Sequence, residues 1–400
     1  MDDVCHQTKK RNPSLMTPVK STKYQIIGPY QFQSVQEEIK DVPKGHLLLK
    51  IITTGICPAD LRYISCSRPP EVLRERLPMA PFHEAIATVA GIGEGADGWR
   101  IGERVIPVPN IPCYVHNPQK YSKERCVACR PGGKGENFCT DVKFCGSNKD
   151  GFSAGYIIHP QECIVRIPDE VEDDVAVLTE PISVVYAAMV EADITDGCNK
   201  AAVLGSGSIG YLTTVLLSHI GKVSRRNLLV TDIFDSKLEL SKDIATILNT
   251  KDNPKKDRPC PGQPFHIREG SNPLPQDFIG QVDRVFECVG GKSAKESIDQ
   301  AITLMRPGGV CVLLGVSEEP VPIRTRVILD KGLTFKGTTR SSKAHFLKTL
   351  EILKENKNLQ KAVKKIIYKN IYKGDSVEEL ISASRSASDI NVHGKVIIKW

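Results

Sequence analysis

The sequence predicts an α/β protein with a β-rich domain and a second domain built on a doubly wound parallel sheet. A chain of 400 residues is too long for one small core, so two domains are expected. Up to about Pro168, short apolar runs alternate with Gly and Pro, which is typical of a compact β-rich unit. After Glu180, strand-like runs alternate with helical stretches, which is typical of a doubly wound sheet.

The β-rich domain is expected over residues 23–187. Its strands are predicted from apolar runs bounded by turn residues, at 46–53, 85–90, 104–108 and 155–159. Residues 113–150 interrupt this pattern with a polar lobe that is rich in cysteine and glycine. The polar, basic residues 1–22 are expected to form a flexible N-terminal arm.

The doubly wound domain is expected over residues 188–335. Strands are predicted at 200–205, 228–232, 284–290 and 310–316, and helices at 209–220, 236–248 and 293–305. Residues 251–278 are rich in Pro, Lys and Gly and are expected to form an irregular insertion, with a weak third strand nearby. Residues 336–400 are expected to complete the β-rich domain, because the final run, 394–400, has strand character.

The composition is that of an ordinary globular chain, with 40% hydrophobic and 25% charged residues. No apolar run is long enough to span a membrane and no secretory signal is visible, so a cytoplasmic location is expected. The net charge of +7 is spread along the chain, and no nucleic-acid-binding motif accompanies it. In a reducing compartment, the 13 cysteines indicate metal binding or chemistry rather than disulfides.

A glycine-rich turn between a predicted strand and a predicted helix indicates a dinucleotide site, and its residues are Gly205, Ser206, Gly207, Ser208, Ile209 and Gly210. Gly205 would permit the tight turn, and Gly207 would let the backbone approach a pyrophosphate. Gly210 would bring the helix and the strand together, and the helix N-terminus would supply amide donors to the anion.

Asp232 ends the second predicted strand of this domain, 22 residues after Gly210, close to the spacing expected for the acidic residue of a dinucleotide site. Its carboxylate would accept hydrogen bonds from the adenosine ribose and repel a 2′-phosphate. The sequence therefore favours NAD(H) over NADP(H), with NADP(H) as the alternative.

Three segments that are far apart in the sequence offer metal ligands. Cys57 follows an apolar strand, His83 and Glu84 are adjacent, and Glu180 precedes a predicted helix. A thiolate, an imidazole and carboxylates form a mixed zinc set that leaves a position for a substrate oxygen. Asp60 is expected to orient one of the ligands. Spacing alone leaves open that each of these residues is merely structural.

The order of these ligand segments and the glycine motif resembles the zinc-containing medium-chain dehydrogenases, over the chain after residue 24. That resemblance implies a GroES-like catalytic domain beside a Rossmann coenzyme domain. It implies that Cys57, His83 and Glu180 hold a catalytic zinc, and that Glu84 exchanges with water or substrate. Glutamate at position 180 is similar to the polyol dehydrogenase branch. Arg340 matches a family position near the cofactor.

Within this family, the segments around Ala59–Tyr63 and Ser67-Arg68 are similar to ribulose-5-phosphate reductases (ribitol-5-phosphate dehydrogenases). The resemblance implies reduction of D-ribulose 5-phosphate to D-ribitol 5-phosphate. Two alternatives stay open: a dehydrogenase of an unphosphorylated polyol, cyclitol or amino sugar, and a metal-free nucleotide-binding protein without turnover. A homo-oligomer that binds only small molecules is expected, since the family usually forms dimers or tetramers.

Two departures from the general alcohol dehydrogenase pattern favour a phosphorylated substrate. Ala59 stands where a proton-relaying hydroxyl is usual, and Arg62 replaces a relay histidine. A guanidinium can clamp a phosphate bidentately, so Arg62, with Tyr63 and Arg68, is predicted to bind the substrate phosphate. A surface ion pair is the alternative role for Arg62. Asp232 departs from the NADPH-using reductases, which lack an acid at that position.

A second cysteine cluster resembles the structural-zinc lobe of the family. Cys126, Cys129 and Cys139 fit that lobe, but the expected third cysteine is Gly132. Cys145 is predicted to supply the missing thiolate, with Cys113 as the less favoured choice. The alternative is a set of free thiols without metal.

Overall fold

The computed structural model describes residues 18–194, 198–251, 274–390 and 392–400. Within these ranges the strands are β1 (Val19–Gly28), β2 (Gln31–Ile39), β3 (His46–Gly55), β4 (Glu84–Ile92), β5 (Arg104–Pro107), β6 (Asn110–Ile111), β7 (Lys143–Phe144), β8 (Tyr156–Pro160), β9 (Ile164–Arg166), β10 (Ala201–Leu204), β11 (Leu228–Asp232), β12 (Thr246–Asn249), β13 (Val282–Glu287), β14 (Met305–Leu313), β15 (Thr334–Gly337), β16 (Ile367–Lys373) and β17 (Lys395–Lys399).

The α-helices of the same ranges are α1 (Pro58–Ile64), α2 (Pro70–Arg76), α3 (Cys113–His116), α4 (Asp173–Ala176), α5 (Thr179–Glu191), α6 (Ser208–His219), α7 (Asp235–Leu238), α8 (Ala294–Leu304), α9 (Thr325–Lys331), α10 (Lys343–Glu355), α11 (Lys357–Lys364) and α12 (Val377–Ser388). No helix of the described ranges combines the length and the apolar character needed to cross a membrane.

The chain forms two compact units. Of the described residues, the first contains 18–177, 369–389 and 396–400, and the second contains 178–194, 198–251, 274–368, 390 and 392–395. The sequence-based boundaries at 187/188 and 335/336 stay predictions, and this division lies elsewhere because α5 packs against α6 and α10. Residues 1–17 of the predicted arm lie outside the described ranges. Residues 19–22 of that arm belong to β1, which pairs with β2.

The first unit is built on an antiparallel sheet. Its strand order is β16-β17-β3-β4-β5-β9, with β8 paired to the other part of β3. β3 lies inside this sheet, and Leu47, Leu48, Leu49 and Ile51 are completely buried, because an apolar run bounded by turns favours a fully covered strand. The predicted closing strand is confirmed, since Ile397 of β17 pairs with Gly55 of β3.

The second unit contains a six-stranded sheet in the order β12-β11-β10-β13-β14-β15. All neighbouring strands are parallel, so the predicted doubly wound parallel sheet is confirmed. β10 and β11 are nearly continuous apolar runs, which is typical of strands covered on both faces. Leu274 and Phe278 pack into its core, so this end of the predicted insertion is not a surface loop; residues 252–273 lie outside the described ranges.

Two predictions of secondary structure were wrong. The helix expected over 236–248 is only the short α7, followed by a 3-10 turn and by β12. Thr246 pairs with Leu229 at the edge of the parallel sheet, so tertiary pairing overrides the helical pattern. The region after Thr334 was expected to return to β character, but it also contains α10, α11 and α12.

Candidate functional site

The register of two strands brings the first predicted ligands together. β3 ends at Gly55 and β4 begins at Glu84, and these two residues are paired in the antiparallel register. Cys57 lies two residues after the end of β3 and His83 directly precedes β4. Both residues therefore lie at the end of the sheet where β3 ends and β4 begins. One ligand atom from each of Cys57, His83 and Glu84 lies within 4.8 Å of the others. The structure therefore assembles three of the four predicted ligands, which we call the mixed cluster.

Asp60 holds this cluster in place, as predicted. Its carboxylate oxygen Oδ1 lies 2.9 Å from Nδ1 of His83, and Oδ2 accepts a hydrogen bond of 2.9 Å from the Cys57 backbone N–H. The backbone N–H of Phe82 also donates to Oδ1, at 3.3 Å. Asp60 is 1% exposed, so these bonds form away from water. The contact at Nδ1 leaves Nε2 of His83 as the nitrogen that can bind a metal.

The chemistry of the mixed cluster fits a zinc ion. Burial lowers the pKa of His83, but the Asp60 carboxylate and the Cys57 thiol outweigh burial and hold that pKa well above its ordinary value. The surroundings of His83 therefore favour positive charge. A thiolate, an imidazole and a carboxylate at one buried point are ligands that zinc binds.

Gly55 is a member of this site that the sequence prediction missed. A Cβ at this position would lie 2.3 Å from Oε2 of Glu84, which is fully buried. The lack of a side chain at Gly55 therefore makes room for the Glu84 carboxylate. The glycine two residues before a ligand cysteine was the sequence signal that could have indicated this packing.

The remaining predicted ligand, Glu180, lies in the first turn of α5 and is 6% exposed. It belongs to the second compact unit, whereas the mixed cluster belongs to the first. Its role as a zinc ligand stays a prediction.

Two of the three predicted phosphate-binding residues are in contact. The Arg68 guanidinium lies 5.1 Å from the centre of the Tyr63 ring, and the Tyr63 hydroxyl lies 3.1 Å from Oγ of Ser147. Tyr63 belongs to α1, which begins directly after Cys57. Arg62 is half-buried in the last turn of the same helix. Ser147 was not predicted, and nothing in its local sequence indicates the contact.

The glycine-rich turn has the local geometry expected for a dinucleotide site. β10 ends at Leu204, and Gly205 follows with φ of +90°, a region that favours glycine. A Cβ at Gly210 would lie 1.8 Å from the carbonyl oxygen of Gly205, so helix and turn approach closely. A Cβ at Gly207 would meet no heavy atom within 4 Å, so the backbone there is open to a ligand. Ser208 and Ile209 begin α6, whose first amides are available to an anion.

Asp232 stands at the end of β11, beside this turn. Its Oδ2 accepts a hydrogen bond of 2.7 Å from the Ser206 backbone N–H. Its Oδ1 accepts from the backbone N–H groups of Ile233 and Phe234, at 2.8 and 3.0 Å. Three backbone donors thus hold the carboxylate beside the glycine-rich turn. Arg340 lies between β15 and α10 with φ of +55°, and its contact with a cofactor stays a prediction.

The cysteine-rich lobe contains a second cluster, whose membership corrects one prediction. One sulfur from each member lies within 4.8 Å of the others, and the members are Cys113, Cys126, Cys129 and Cys139. Cys145 is not among them. Its backbone N–H donates to the Pro109 carbonyl, and burial raises the pKa of its thiol to about 12. Cys113 stands at the start of the lobe, whereas Cys145 directly follows β7, which pairs with β6, and sequence spacing could not reveal this difference.

Two family descriptions match the chain. Residues 43–169 match the alcohol dehydrogenase GroES-like domain, and residues 274–355 match the zinc-binding dehydrogenase domain. "Ribulose-5-phosphate reductase 2" of Staphylococcus aureus is 28% identical over 386 residues, covering 94% of this chain and 98% of the relative. "Ribulose-5-phosphate reductase" of Streptococcus pneumoniae is 29% identical over 383 residues, covering 94% and 96%.

A solved structure has the same fold. S. aureus TarJ in complex with NADPH aligns with a TM-score of 0.73 and 23% sequence identity, covering 96% of this chain and 99% of that one. An antiparallel GroES-like unit, a Rossmann sheet and a mixed cysteine–histidine–glutamate cluster define a nicotinamide-dependent oxidoreductase that acts on CH–OH groups. The chain thus carries the two domain types, GroES-like alcohol dehydrogenase and zinc-binding dehydrogenase, that its sequence resemblance predicted.

Proposed function

We propose that this protein reduces D-ribulose 5-phosphate to D-ribitol 5-phosphate, reversibly and with zinc. The observation that carries the proposal is the mixed cluster of Cys57, His83 and Glu84 at one end of the antiparallel sheet. Relatives named ribulose-5-phosphate reductases support the choice of substrate, since they align with 94% of this chain.

The residues of the mixed cluster have distinct roles in this proposal. When bound, zinc would polarise the substrate oxygen, and the nicotinamide would exchange the hydride. Asp60 fixes the ring of His83 and the backbone of Cys57, so the ligands are oriented before the substrate arrives. Ala59 has no hydroxyl to relay a proton. We therefore assign the proton supply to Glu84 and water, with Glu180 as a further ligand.

The direct test measures zinc content and then follows oxidation of NADH and NADPH with D-ribulose 5-phosphate and with D-ribulose. We expect zinc in the purified protein and turnover that strongly favours the phosphate. Faster turnover of D-ribulose or sorbitol would identify a dehydrogenase of unphosphorylated polyols. Absence of zinc together with absence of turnover would identify a metal-free nucleotide-binding protein.

Recognition of the phosphate is assigned to Arg62, with Tyr63 and Arg68 beside it. A charged hydrogen bond contributes about 1.5–3 kcal/mol, so Arg62→Ala should raise KM for D-ribulose 5-phosphate roughly 10- to 100-fold. KM for D-ribulose should change little. Arg74→Ala, at an exposed position of α2, is the matched control. Equal effects of Arg62→Ala on both substrates would contradict the assignment.

We also propose NAD(H) as the preferred cofactor. The Asp232 carboxylate next to the glycine turn would repel a 2′-phosphate, and like charges in contact cost several kcal/mol. Asp232→Asn keeps the shape and removes the charge, so it should raise kcat/KM for NADPH relative to NADH by about tenfold or more. Asp243→Asn, at an exposed position, is the control. A wild-type preference for NADPH, the ligand of the TarJ structure, would contradict the proposal.

A further inference from the structure

The cysteine-rich lobe has a core made mostly of cysteines. Its buried cluster contains Ala128 and four cysteines, and the apolar side chains around it, such as Tyr114 and Phe138, are only partly buried. A segment with so little apolar core gains little stability from burial alone. Cross-links or a metal ion usually supply the missing stability in such a segment.

The geometry of the four thiols suits one central ion. The sulfurs of Cys126 and Cys139 are 3.7 Å apart, and the Cys113 backbone N–H donates to the Cys139 sulfur at 3.3 Å. All four cysteines carry free thiols, and none is more than 9% exposed. Four sulfurs that face one another without disulfides form the donor set of a closed, tetrahedral zinc site.

The backbone explains why the ligand set departs from the family's lobe. Gly132 occupies the position of the expected third cysteine, and its φ is +75°, where a side chain is strained. A Cβ at Gly132 would meet no heavy atom within 4 Å, so it would point into open space. Gly133 must also lack a side chain, since its Cβ would lie 2.4 Å from the Ala128 carbonyl oxygen. With glycine at both positions, this turn provides no third thiolate.

We propose that Cys113, at the start of α3, replaces the missing ligand and completes a four-thiolate zinc site with Cys126, Cys129 and Cys139. Each thiol loses its proton to solvent when the zinc ion binds, and no electron is transferred. The ion would connect Cys113, at the start of the lobe, to the segment of Cys126 and Cys129 and to Cys139. Its role is to hold the lobe together rather than to bind substrate.

Metal content tests the ligand assignment. The wild-type protein should contain two zinc ions per chain, one at the mixed cluster and one in the lobe, and Cys113→Ala should contain one. Cys145→Ala is the matched control, because Cys145 is equally buried and lies outside the cluster, and it should keep both ions. Retention of both ions by Cys113→Ala, or loss of one by Cys145→Ala, would overturn the proposal.

A second measurement uses the wild-type protein and does not depend on a variant that folds. The protein is treated with increasing chelator, and alkylation of each cysteine is followed by mass spectrometry together with zinc release. Cys113 should become alkylated in parallel with Cys126, Cys129 and Cys139 as the lobe zinc leaves. Alkylation of Cys113 while both ions remain bound would refute the assignment. Disulfide bonds between the four lobe cysteines in the purified protein would refute it as well.

Discussion

The mixed cluster and the four-cysteine cluster of the lobe belong to the same compact unit but are supported in different ways. The mixed cluster lies where strands β3 and β4 of a broad antiparallel sheet end and begin, and Asp60 hydrogen-bonds both of the segments that supply it. The lobe cluster is itself most of the buried core of its segment. The ligands of the mixed cluster are thus positioned by the sheet, whereas the four cysteines of the lobe are themselves the main buried side chains of their segment.

This difference has a consequence for function. A site positioned by the fold can leave a coordination position to a substrate without losing its shape. A site that positions its own segment must use all of its coordination for protein ligands. Changes at the mixed cluster should therefore affect turnover, and changes at the lobe should affect stability.

The largest effect is expected from Cys57→Ala, which removes a ligand of the mixed cluster. Polarisation by a metal contributes several kcal/mol, so kcat should fall by at least about 100-fold. The melting temperature and the lobe zinc should be nearly unchanged. Steady-state kinetics, metal analysis and thermal unfolding measure these quantities, with Cys66→Ala as the control. Near wild-type turnover in Cys57→Ala would show that this cluster is not catalytic.

The next effect is expected from Asp60→Asn, which keeps the shape of the side chain but removes its charge. The loss of an orienting partner typically weakens metal binding by about 10- to 100-fold. Zinc affinity at the mixed cluster should fall by that factor in a competition titration with a chelator. Asp41→Asn, at an exposed position, should bind zinc normally. Unchanged affinity in Asp60→Asn would mean that the sheet alone orients the ligands.

A smaller effect should follow from Gly133→Ala in the lobe. The added Cβ would meet the carbonyl oxygens of Ala128 and Val127 at 2.4 and 2.7 Å, so the turn must shift. Overpacking of this kind costs about 1–3 kcal/mol, and the melting temperature and lobe zinc affinity should fall. Turnover below the melting temperature should persist. Gly337→Ala, where a Cβ would meet nothing within 4 Å, is the control. A selective loss of turnover would contradict the separation of roles.

The last effect appears only in acid and concerns the sheet that carries the mixed cluster. His159 of β8 contacts the Val108 carbonyl through Nε2 at 3.0 Å, and burial lowers the pKa of His159 from 6.5 to about 3. The unfolded chain binds this proton more readily, so the His159 contribution is complete above pH 6.5. It should decline by about 1.4 kcal/mol per pH unit below that and level off near pH 3.

His159→Gln should therefore abolish this decline. Between pH 6.5 and about pH 3, the free energy of unfolding of the variant should fall by up to about 1.4 kcal/mol less per pH unit than that of the wild type. Chemical denaturation of metal-free protein at several pH values measures the slope, with His46→Gln as the control. An identical slope in wild type and His159→Gln would assign the acid sensitivity to other groups.

Local patterns in the sequence sufficed for much of this molecule. The apolar run before Gly205 and the glycines after it predicted the nucleotide turn, because φ preference and close approach are properties of single positions. Cys57 and His83 could be predicted as partners because each adjoins a strand and the family resemblance supplied their order. Asp60 was predicted to orient one of the ligands, and its contact with His83 is present.

Other features depend on contacts between distant segments, which only the tertiary structure decided. The stretch 246–249 became β12 because a partner strand was available at the sheet edge. Cys113 rather than Cys145 belongs to the lobe cluster because the sulfur of Cys113, at the start of the lobe, lies close to the other three sulfurs. Spacing along a chain limits which residues can meet, but the path of the backbone selects among them, since residues far apart in sequence approach only where the fold closes the loop between them.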